Sequence, residues 1–260
     1  LCEKPTARIY SEALEMQAAQ EETGKVLNIG VCCRFHAAVE EVRRRILAGD
    51  LGEVYHIFIN FRAHRSIPGL GGAFTTKAIS GGGVLIDWGV HFLDLIMYCC
   101  GDPRPLTASG EAFCKLGKDM KNYVYESMWS EMTKDLNGTY DVDDSVTGFI
   151  RTEGGPTIPL NGAWAQNIGV GETFIDFLGD KCGARLTYGR RFELYRGDTL
   201  ETVTYDYEIP NMYLREDSAF IESIETGVKN RSNIDNVLES ARLLDSLYAS
   251  AAQRKELELG

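Results

Sequence analysis

The chain has 260 residues, 44% of them hydrophobic and 25% charged, which is the balance of an ordinary globular protein of one or two domains. Its formal net charge of −11 argues against a surface that follows phosphate groups, so nucleic acid is not expected as a partner. The longest apolar run, residues 84–100, contains three ionisable side chains, so a membrane span is not expected either.

The cysteines and histidines argue against a disulfide-rich protein and against a metalloprotein. The seven cysteines show no Cys-x-x-Cys spacing, and their odd number suits a reducing compartment better than a disulfide framework. We therefore expect a cytoplasmic protein. The four histidines are scattered and have no neighbouring ligands in the sequence, so no metal is expected.

The first 34 residues follow a strand–helix–strand pattern. An apolar start runs into Glu3-Lys4-Pro5, as at the end of a strand, and a helix is predicted over residues 11–22, with Gly24 ending it. Residues 25–33 form a continuous apolar run, which is typical of a strand buried on both faces of a parallel sheet. The pattern predicts the last βαβ unit of a doubly wound domain.

A second helix and an amphipathic strand follow. The helix is predicted over residues 38–48. In residues 53–62 polar and apolar side chains alternate, which predicts a strand with one buried face. The predicted buried set is Tyr55, Ile57, Ile59 and Phe61. The strand ends in a loop, residues 63–72, that contains two basic residues and leads to a glycine-rich motif.

That motif, residues 80–95, opens with Gly81-Gly82-Gly83 and contains Asp87 and His91 four positions apart. In a helix these two side chains lie one turn apart on the same face. A carboxylate beside an imidazole can orient the ring and raise its basicity, as proton transfer near neutral pH requires. The spacing alone equally fits a helix capped by Asp87 with a structural histidine in its first turn.

The remainder of the chain is rich in short β-like runs. They are predicted at residues 106–114, 144–152, 157–165, 173–179, 183–188, 191–196 and 201–207. Turn residues such as Gly189 separate them, which indicates a mostly antiparallel sheet. Residues 115–142, with Tyr123, Tyr125 and Trp129, interrupt the series as a lid, substrate loop, oligomer contact or plain surface. Two helices close the chain, at residues 216–227 and from residue 234 onward.

Three stretches resemble the Gfo/Idh/MocA family of nicotinamide-dependent sugar and polyol oxidoreductases. They are Glu3-Lys4-Pro5, the segment from Gly81 to His91, and Asp143-Asp144-Ser145-Val146 with its continuation to Trp164. The resemblance implies an α/β then α+β fold. Residues 1–34 are expected to be the C-terminal end of a Rossmann dinucleotide-binding domain. Residues 35–260 are expected to form a substrate and oligomerisation domain with a large, mostly antiparallel open sheet, through which homodimers or homotetramers form.

The resemblance also implies a site. Lys4, Asp87 and His91 are the expected catalytic residues, and Glu3, Lys4 and Pro5 are expected to bind the cofactor, NAD or NADP. In this scheme His91, with an ordinary pKa near 6.5, is the general base, Asp87 holds it, and Lys4 stabilises the reacting oxygen.

Further residues flank the expected cleft. Arg34, His64 and Arg65 are predicted to contact the substrate, with a plain basic loop face as the alternative. Trp164 either stacks on a sugar ring or is a buried strand residue. Asp94 either supports His91 or is a cap or surface carboxylate.

The expected function is hydride transfer between a nicotinamide cofactor and a secondary hydroxyl of a sugar, glycoside or cyclic polyol. Two alternatives stay open: a glycoside-cleaving enzyme of the same family, and a non-catalytic sugar- or dinucleotide-sensing regulator. One departure stands out, because the chain contains no G-x-G-x-x-G after a strand. We therefore expect that about a hundred residues of the family's Rossmann domain are missing and that this polypeptide alone binds a dinucleotide poorly.

Overall fold

The computed structural model describes residues 1–127, 134–187, 191–207 and 211–260. The predicted aromatic residue Trp129 and the predicted turn residue Gly189 lie outside these ranges. Within them, a small two-stranded parallel sheet adjoins a nine-stranded, mostly antiparallel sheet that is covered by helices. This is the predicted fold class.

The small sheet is a βαβ unit. Strand β1 (Cys2–Glu3) pairs in parallel with β2 (Ile29–Gly30), and α1 (Tyr10–Thr23) connects them, with Gly24 in the left-handed region at its end. The predicted strand over residues 25–33 is thus only two residues long. It pairs with Cys2–Glu3 on one side and is joined to residues 232–233 by an isolated bridge at Asn28, and the chain then turns into a 3₁₀ helix, Cys32–Phe35.

The larger part follows the predicted order of elements closely. Its helices are α2 (Ala37–Leu47), α3 (Lys77–Ser80), α4 (Val90–Cys100), α5 (Met212–Thr226) and α6 (Leu238–Gln253). Its strands are β3 (Val54–Arg62), β4 (Pro105–Phe113), β5 (Ser145–Thr152), β6 (Thr157–Ala163), β7 (Glu172–Gly179), β8 (Cys182–Thr187), β9 (Arg191–Arg196), β10 (Thr202–Asp206) and β11 (Leu257–Glu258). The strand order is β10-β9-β8-β7-β3-β6-β5-β4-β11.

The core lies between one face of the large sheet and the helices α2, α4 and α6. Alternate residues of each strand point into it, so that Ile57, Ile59 and Phe61 of β3 are all at most 1% exposed. The prediction that Tyr55 belongs to this buried set is wrong, since Tyr55 is 54% exposed. The pairing of β3 with β7 shifts register between Val54 and His56, which breaks the alternation there.

A second, smaller apolar cluster supports the βαβ unit. Ile29 and Val31 pack there with Ile234 and Val237, which lie near the far end of the sequence. The chain therefore returns to its first part before α6 begins. The domain division at residues 34 and 35 stays a prediction.

The glycine-rich motif forms an irregular helical entry. Gly81 ends α3 with φ +83°, a π-helical turn spans Leu85–Gly89, and α4 follows directly. By length and composition the stretch Lys77–Cys100 is apolar enough to cross a membrane, but 83% of its most apolar window is buried inside the fold. It is the central helical segment of the core. A π-turn inside a helix is frequently a functional position, and here it contains Asp87.

Candidate active site

Lys4 and Asp87 form the central contact of the site. The Lys4 Nζ donates to Asp87 Oδ1 at 2.8 Å and to the Asp87 carbonyl oxygen at 3.0 Å. Asp87 is buried, while the lysine side chain is 22% exposed, so its ammonium group still borders open space. The contact joins the end of β1 to the π-turn and brings together two predicted catalytic residues.

Trp164 holds the other oxygen of the same carboxylate. Its indole Nε1 donates to Asp87 Oδ2 at 3.2 Å, and the side chain is fully buried. Of the two predicted alternatives, burial is the one observed, although Trp164 directly follows β6 and is not part of the strand, and a fully buried ring offers no face to a sugar. Asp87 therefore has both of its oxygens engaged, one with Lys4 and one with Trp164.

His91 lines the same cleft as Lys4 and Asp87, one residue into α4. Its Nδ1 lies 4.0 Å from the Cys33 sulfur. Burial, and to a lesser degree the positive charge of Lys4, lowers the pKa of His91 to about 3, well below the ordinary value assumed from the sequence. The ring is therefore neutral at physiological pH. The expectation that Asp87 holds His91 needs revision, since the carboxylate is engaged by Lys4 and Trp164 instead.

Asp143 fixes the start of the glycine-rich motif. Its carboxylate accepts from the Gly83 amide at 2.8 Å and the Leu85 amide at 3.0 Å, and from the Tyr248 hydroxyl at 2.9 Å. A methyl group on Gly83 would lie 1.9 Å from the Asp143 carbonyl oxygen, so only glycine fits here. The next residue, Asp144, accepts from three amides at residues 115–117. The Asp143-Asp144 pair thus ties the catalytic turn and the long insertion to the same strand end.

Two clefts meet at the Lys4–Asp87 pair. The first, about 390 Å³, contains His91, and the second, about 410 Å³, contains Pro5. Glu3, Lys4 and Asp87 border both. The walls of the first also include Cys32, Trp88, Phe92, Thr173, Met212 and Tyr213. The second is mostly apolar, with Pro5, Ala73, Phe74, Ile79 and Ile86 in its walls.

Arg34 does not lie in either cleft. It is 1% exposed, and its guanidinium forms a two-pronged ion pair with Asp94, at 2.8 Å from Nε and 2.7 Å from Nη2. It also donates to the carbonyl oxygens of Arg231 and Asn236 and lies over the Tyr98 ring, 5.0 Å from its centroid. The substrate contact predicted for Arg34 is thus replaced by a structural role, because its donors are directed into the protein. Asp94 faces this arginine and Ser240, so it supports the helix packing.

The two basic loop residues separate in the structure. Arg65 Nη1 donates to the carbonyl oxygens of His64 and Gln166, at 2.7 and 2.6 Å, and Nη2 contacts Asn167, so this side chain fastens its loop to the neighbouring one. His64 instead lines a third cavity together with Arg62 and Glu126. Its Nδ1 lies 3.3 Å from Glu126 Oε2. Of the predicted substrate residues, His64 is therefore the one that borders a cavity.

Some site residues lay outside the sequence prediction. Trp88, Thr173 and Tyr213 line the first cleft, yet they come from three distant segments. Tyr248, from α6, donates to Asp143 and accepts from the Ile86 amide at 3.2 Å. Among these residues, only Trp88 could have been suspected from the sequence, because it directly follows Asp87. The other contacts depend on how distant segments fold together.

Comparison with known proteins agrees with this architecture. The model of the GFO/IDH/MocA C-terminal domain matches residues 39–185. D-glucoside 3-dehydrogenase of Escherichia coli (strain K12) is 30% identical over 260 residues, which are 100% of this chain and 72% of that protein. D-xylose 1-dehydrogenase (NADP(+)) 2 of Haloferax volcanii is 24% identical, again over 100% of this chain and 72% of its own length.

Solved structures share the fold. Levoglucosan dehydrogenase, in complex with NADH and levoglucosan, superimposes with a TM-score of 0.81 over 99% of this chain and 72% of that chain, at 19% identity. The class of this α/β protein is defined by three features. They are the βαβ unit at its start, the open nine-stranded sheet, and the lysine–aspartate pair that lies between the two. The chain belongs to the Gfo/Idh/MocA family, as its three motifs predicted.

Proposed function

We propose that the protein is an NAD(P)-dependent oxidoreductase that transfers a hydride between the nicotinamide and a secondary hydroxyl of a sugar, glycoside or cyclic polyol. The observation on which the proposal rests is the Lys4–Asp87 ion pair, which lies between two clefts and beside His91. The relatives are dehydrogenases of a glucoside and of xylose, the latter with NADP(+) in its name. A sensing regulator has no need of such a set of proton-handling groups.

The second cleft fits a nicotinamide ring. Its walls include Pro5, Phe74 and Ile79, and the last two are 39% and 61% exposed, which leaves apolar surface for a flat ring to cover. Glu3, Lys4 and Pro5 all border this cleft, in agreement with their predicted role. When bound there, the cofactor supplies the hydride acceptor or donor.

The sugar ring then belongs in the first cleft, beside His91. There the Lys4 ammonium donates to the reacting oxygen and stabilises the negative charge that develops as its proton leaves. Asp87, fixed by Trp164, keeps the lysine in place. The neutral imidazole of His91 borders this cleft and is the group that we assign to accept the hydroxyl hydrogen, although a pKa of about 3 makes it a weak base until substrate changes its surroundings.

The test is a kinetic assay of the purified full-length protein. A panel of aldoses, methyl glycosides and inositols is offered with NAD and with NADP, and reduced cofactor is followed at 340 nm. We expect turnover of at least one compound and a loss of at least a hundredfold in His91→Ala. A His91→Ala protein that keeps its hydride-transfer rate within a few-fold contradicts the role of His91. Tight cofactor binding without turnover favours a regulator, and release of aglycone without net reduction favours a glycoside-cleaving relative.

We also propose that copies associate through the open sheet, as homodimers or homotetramers, in the cytoplasm. Support comes from half-buried aromatic side chains on the sheet face that the helices leave uncovered, among them Phe58 and Phe174 with ring centroids 5.8 Å apart. The seven cysteines form no disulfide with one another, which suits a reducing compartment. Light scattering after size exclusion tests the association, and cell fractionation tests the location. A monomeric mass for the full-length protein contradicts the first.

A further inference from the structure

The catalytic cleft continues into the cavity that His64 lines. This outer cavity measures about 610 Å³, and its walls share Trp88 and Thr173 with the cleft around His91. Trp88 follows Asp87 in the π-turn and is only half-buried. A ligand that is held at His91 and is larger than one ring therefore has a continuous path past the Trp88 indole.

The walls of the outer cavity have the chemistry of a carbohydrate site. His64 and Glu126 form a pair at 3.3 Å, with side chains 35% and 57% exposed, so an imidazole and a carboxylate face the open space. The Arg62 guanidinium is held beside them by a 2.7 Å bond from Nε to Asn60 Oδ1. A carboxylate accepts from hydroxyl groups and a guanidinium donates to them, while an indole face packs on the apolar face of a ring.

We propose that this outer cavity is a subsite for the second ring of a glycoside, and that Trp88 is the platform shared by the two rings. The inference rests on the proposed function and adds the substrate class to it: the preferred substrate is a glycoside or disaccharide, oxidised on the ring beside His91, and not a free monosaccharide. Trp164, the tryptophan that the sequence suggested for ring stacking, is fully buried, so Trp88 takes that role.

The polar contacts decide which kind of second ring binds. A sugar ring uses the hydroxyl partners His64 and Glu126 as well as the indole, whereas a phenyl ring uses the indole alone. Discrimination between the two kinds of ring therefore depends on the His64–Glu126 pair. Neither residue belongs to the catalytic set, so both can be replaced without removing a reacting group.

The experiment compares kcat/KM of the full-length enzyme for D-glucose, for phenyl α- and β-D-glucopyranoside, and for maltose and cellobiose. We expect at least one disaccharide to exceed glucose by tenfold or more, mainly through a lower KM. Glu126→Ala and His64→Ala should each reduce that disaccharide advantage at least threefold, with kcat/KM for glucose changed less than twofold. Glu153→Ala is the matched control, since that carboxylate lies in an exposed ion pair with Arg104, outside the three cavities.

Three outcomes overturn the subsite. The first is an equal kcat/KM for glucose and all its glycosides, and the second is an equal loss of kcat/KM for glucose and for the disaccharide in the Glu126 and His64 variants. The third is a loss of the disaccharide advantage in Glu153→Ala that is as large as in those variants. A phenyl glycoside that equals the best disaccharide overturns the role of the polar pair. Calorimetric titration of cellobiose and maltose, with glucose for comparison, separates this inference from the proposed function. Tighter disaccharide binding that Glu126→Ala abolishes supports the subsite even in a protein that never reduces the cofactor, and equal binding rejects it.

Discussion

Lys4 and Asp87 are 83 positions apart in the chain, and their side chains form a 2.8 Å ion pair in which the aspartate is buried and the lysine is not. The pair is the point at which the βαβ unit meets the glycine-rich turn. It also lies between the cleft that we propose for the nicotinamide and the cleft that contains His91. Any change that moves this pair therefore alters both clefts at once.

Asp87→Asn keeps the shape of the side chain and removes its charge. We expect kcat to fall by about a hundredfold, because the lysine that stabilises the reacting oxygen loses the partner that orients it. The KM for the sugar should change much less, since the amide still fills the same space. Steady-state kinetics over pH 6 to 10 measures both effects. A kcat within threefold of the wild type contradicts the positioning role of Asp87.

Trp164→Phe removes only the indole N–H that holds the second Asp87 oxygen. The lost hydrogen bond to a buried carboxylate should cost about 1 to 3 kcal/mol of unfolding free energy. It should also lower kcat roughly tenfold and alter its pH profile, because Asp87 can then rotate away from Lys4. Thr152→Val is the control, since it removes a buried hydrogen bond, from the Thr152 hydroxyl to the Pro156 carbonyl oxygen, that lies outside the clefts. A loss of stability with unchanged kcat and pH profile would mean that Trp164 is structural only.

The sequence predicted the large sheet well because its strands alternate and its turns contain glycine. Seven β-runs after residue 103 correspond to β4 through β10, with ends within two residues. Lys4, Asp87 and His91 could be predicted to lie close together because they belong to two short motifs, and they border one cleft in the structure. The contacts of Asp87 could not be predicted in the same way. Asp87 lies in a π-turn, where regular one-turn spacing no longer applies, and Trp164 contacts it from the position directly after β6.

The substrate residues were harder for the same reason. Arg34 follows an apolar run beside the expected cleft, and nothing local reveals that Asp94, 60 positions later, holds it. Basic residues in the loop after β3 look equivalent in the sequence. In the structure, the Gln166 carbonyl oxygen and the Asn167 side chain of the adjoining loop accept from Arg65, and the Glu126 carboxylate of the insertion contacts His64. The contacts of all three side chains therefore depend on residues that are distant in the sequence.

Arg34→Met tests the structural role of this arginine. The substitution leaves the Asp94 carboxylate buried without its cation, which should lower the unfolding free energy by about 3 to 5 kcal/mol. The double variant Arg34→Met/Asp94→Leu should recover a large part of that loss, because no charge is then left unpaired. Chemical denaturation measures both. If the folded Arg34→Met enzyme instead shows a raised KM for the sugar at unchanged stability, the arginine contacts substrate.

His91 gives the protein a specific sensitivity to acid. In the unfolded chain a histidine takes up its proton near pH 6.5, whereas burial beside Lys4 lowers the pKa of His91 in the folded state to about 3. Between these values the unfolded state binds one proton more, so the unfolding free energy falls as the pH is lowered from 6.5 toward 3. From pH 6.5 to pH 5 this single group accounts for a loss of about 1.5 kcal/mol.

His91→Gln should remove that part of the pH dependence, since glutamine does not titrate. Urea denaturation at pH 5 and pH 6.5 gives the measurement, and the expected result is a loss on acidification about 1.5 kcal/mol smaller than in the wild type. His64→Gln is the control, because that ring is a third exposed and forms its pair at the surface. If His91→Gln and wild type lose the same free energy over this interval, His91 is protonated in the folded protein at pH 5. In that case the imidazole keeps an ordinary pKa, and it serves as the general base near neutral pH without a change in its surroundings.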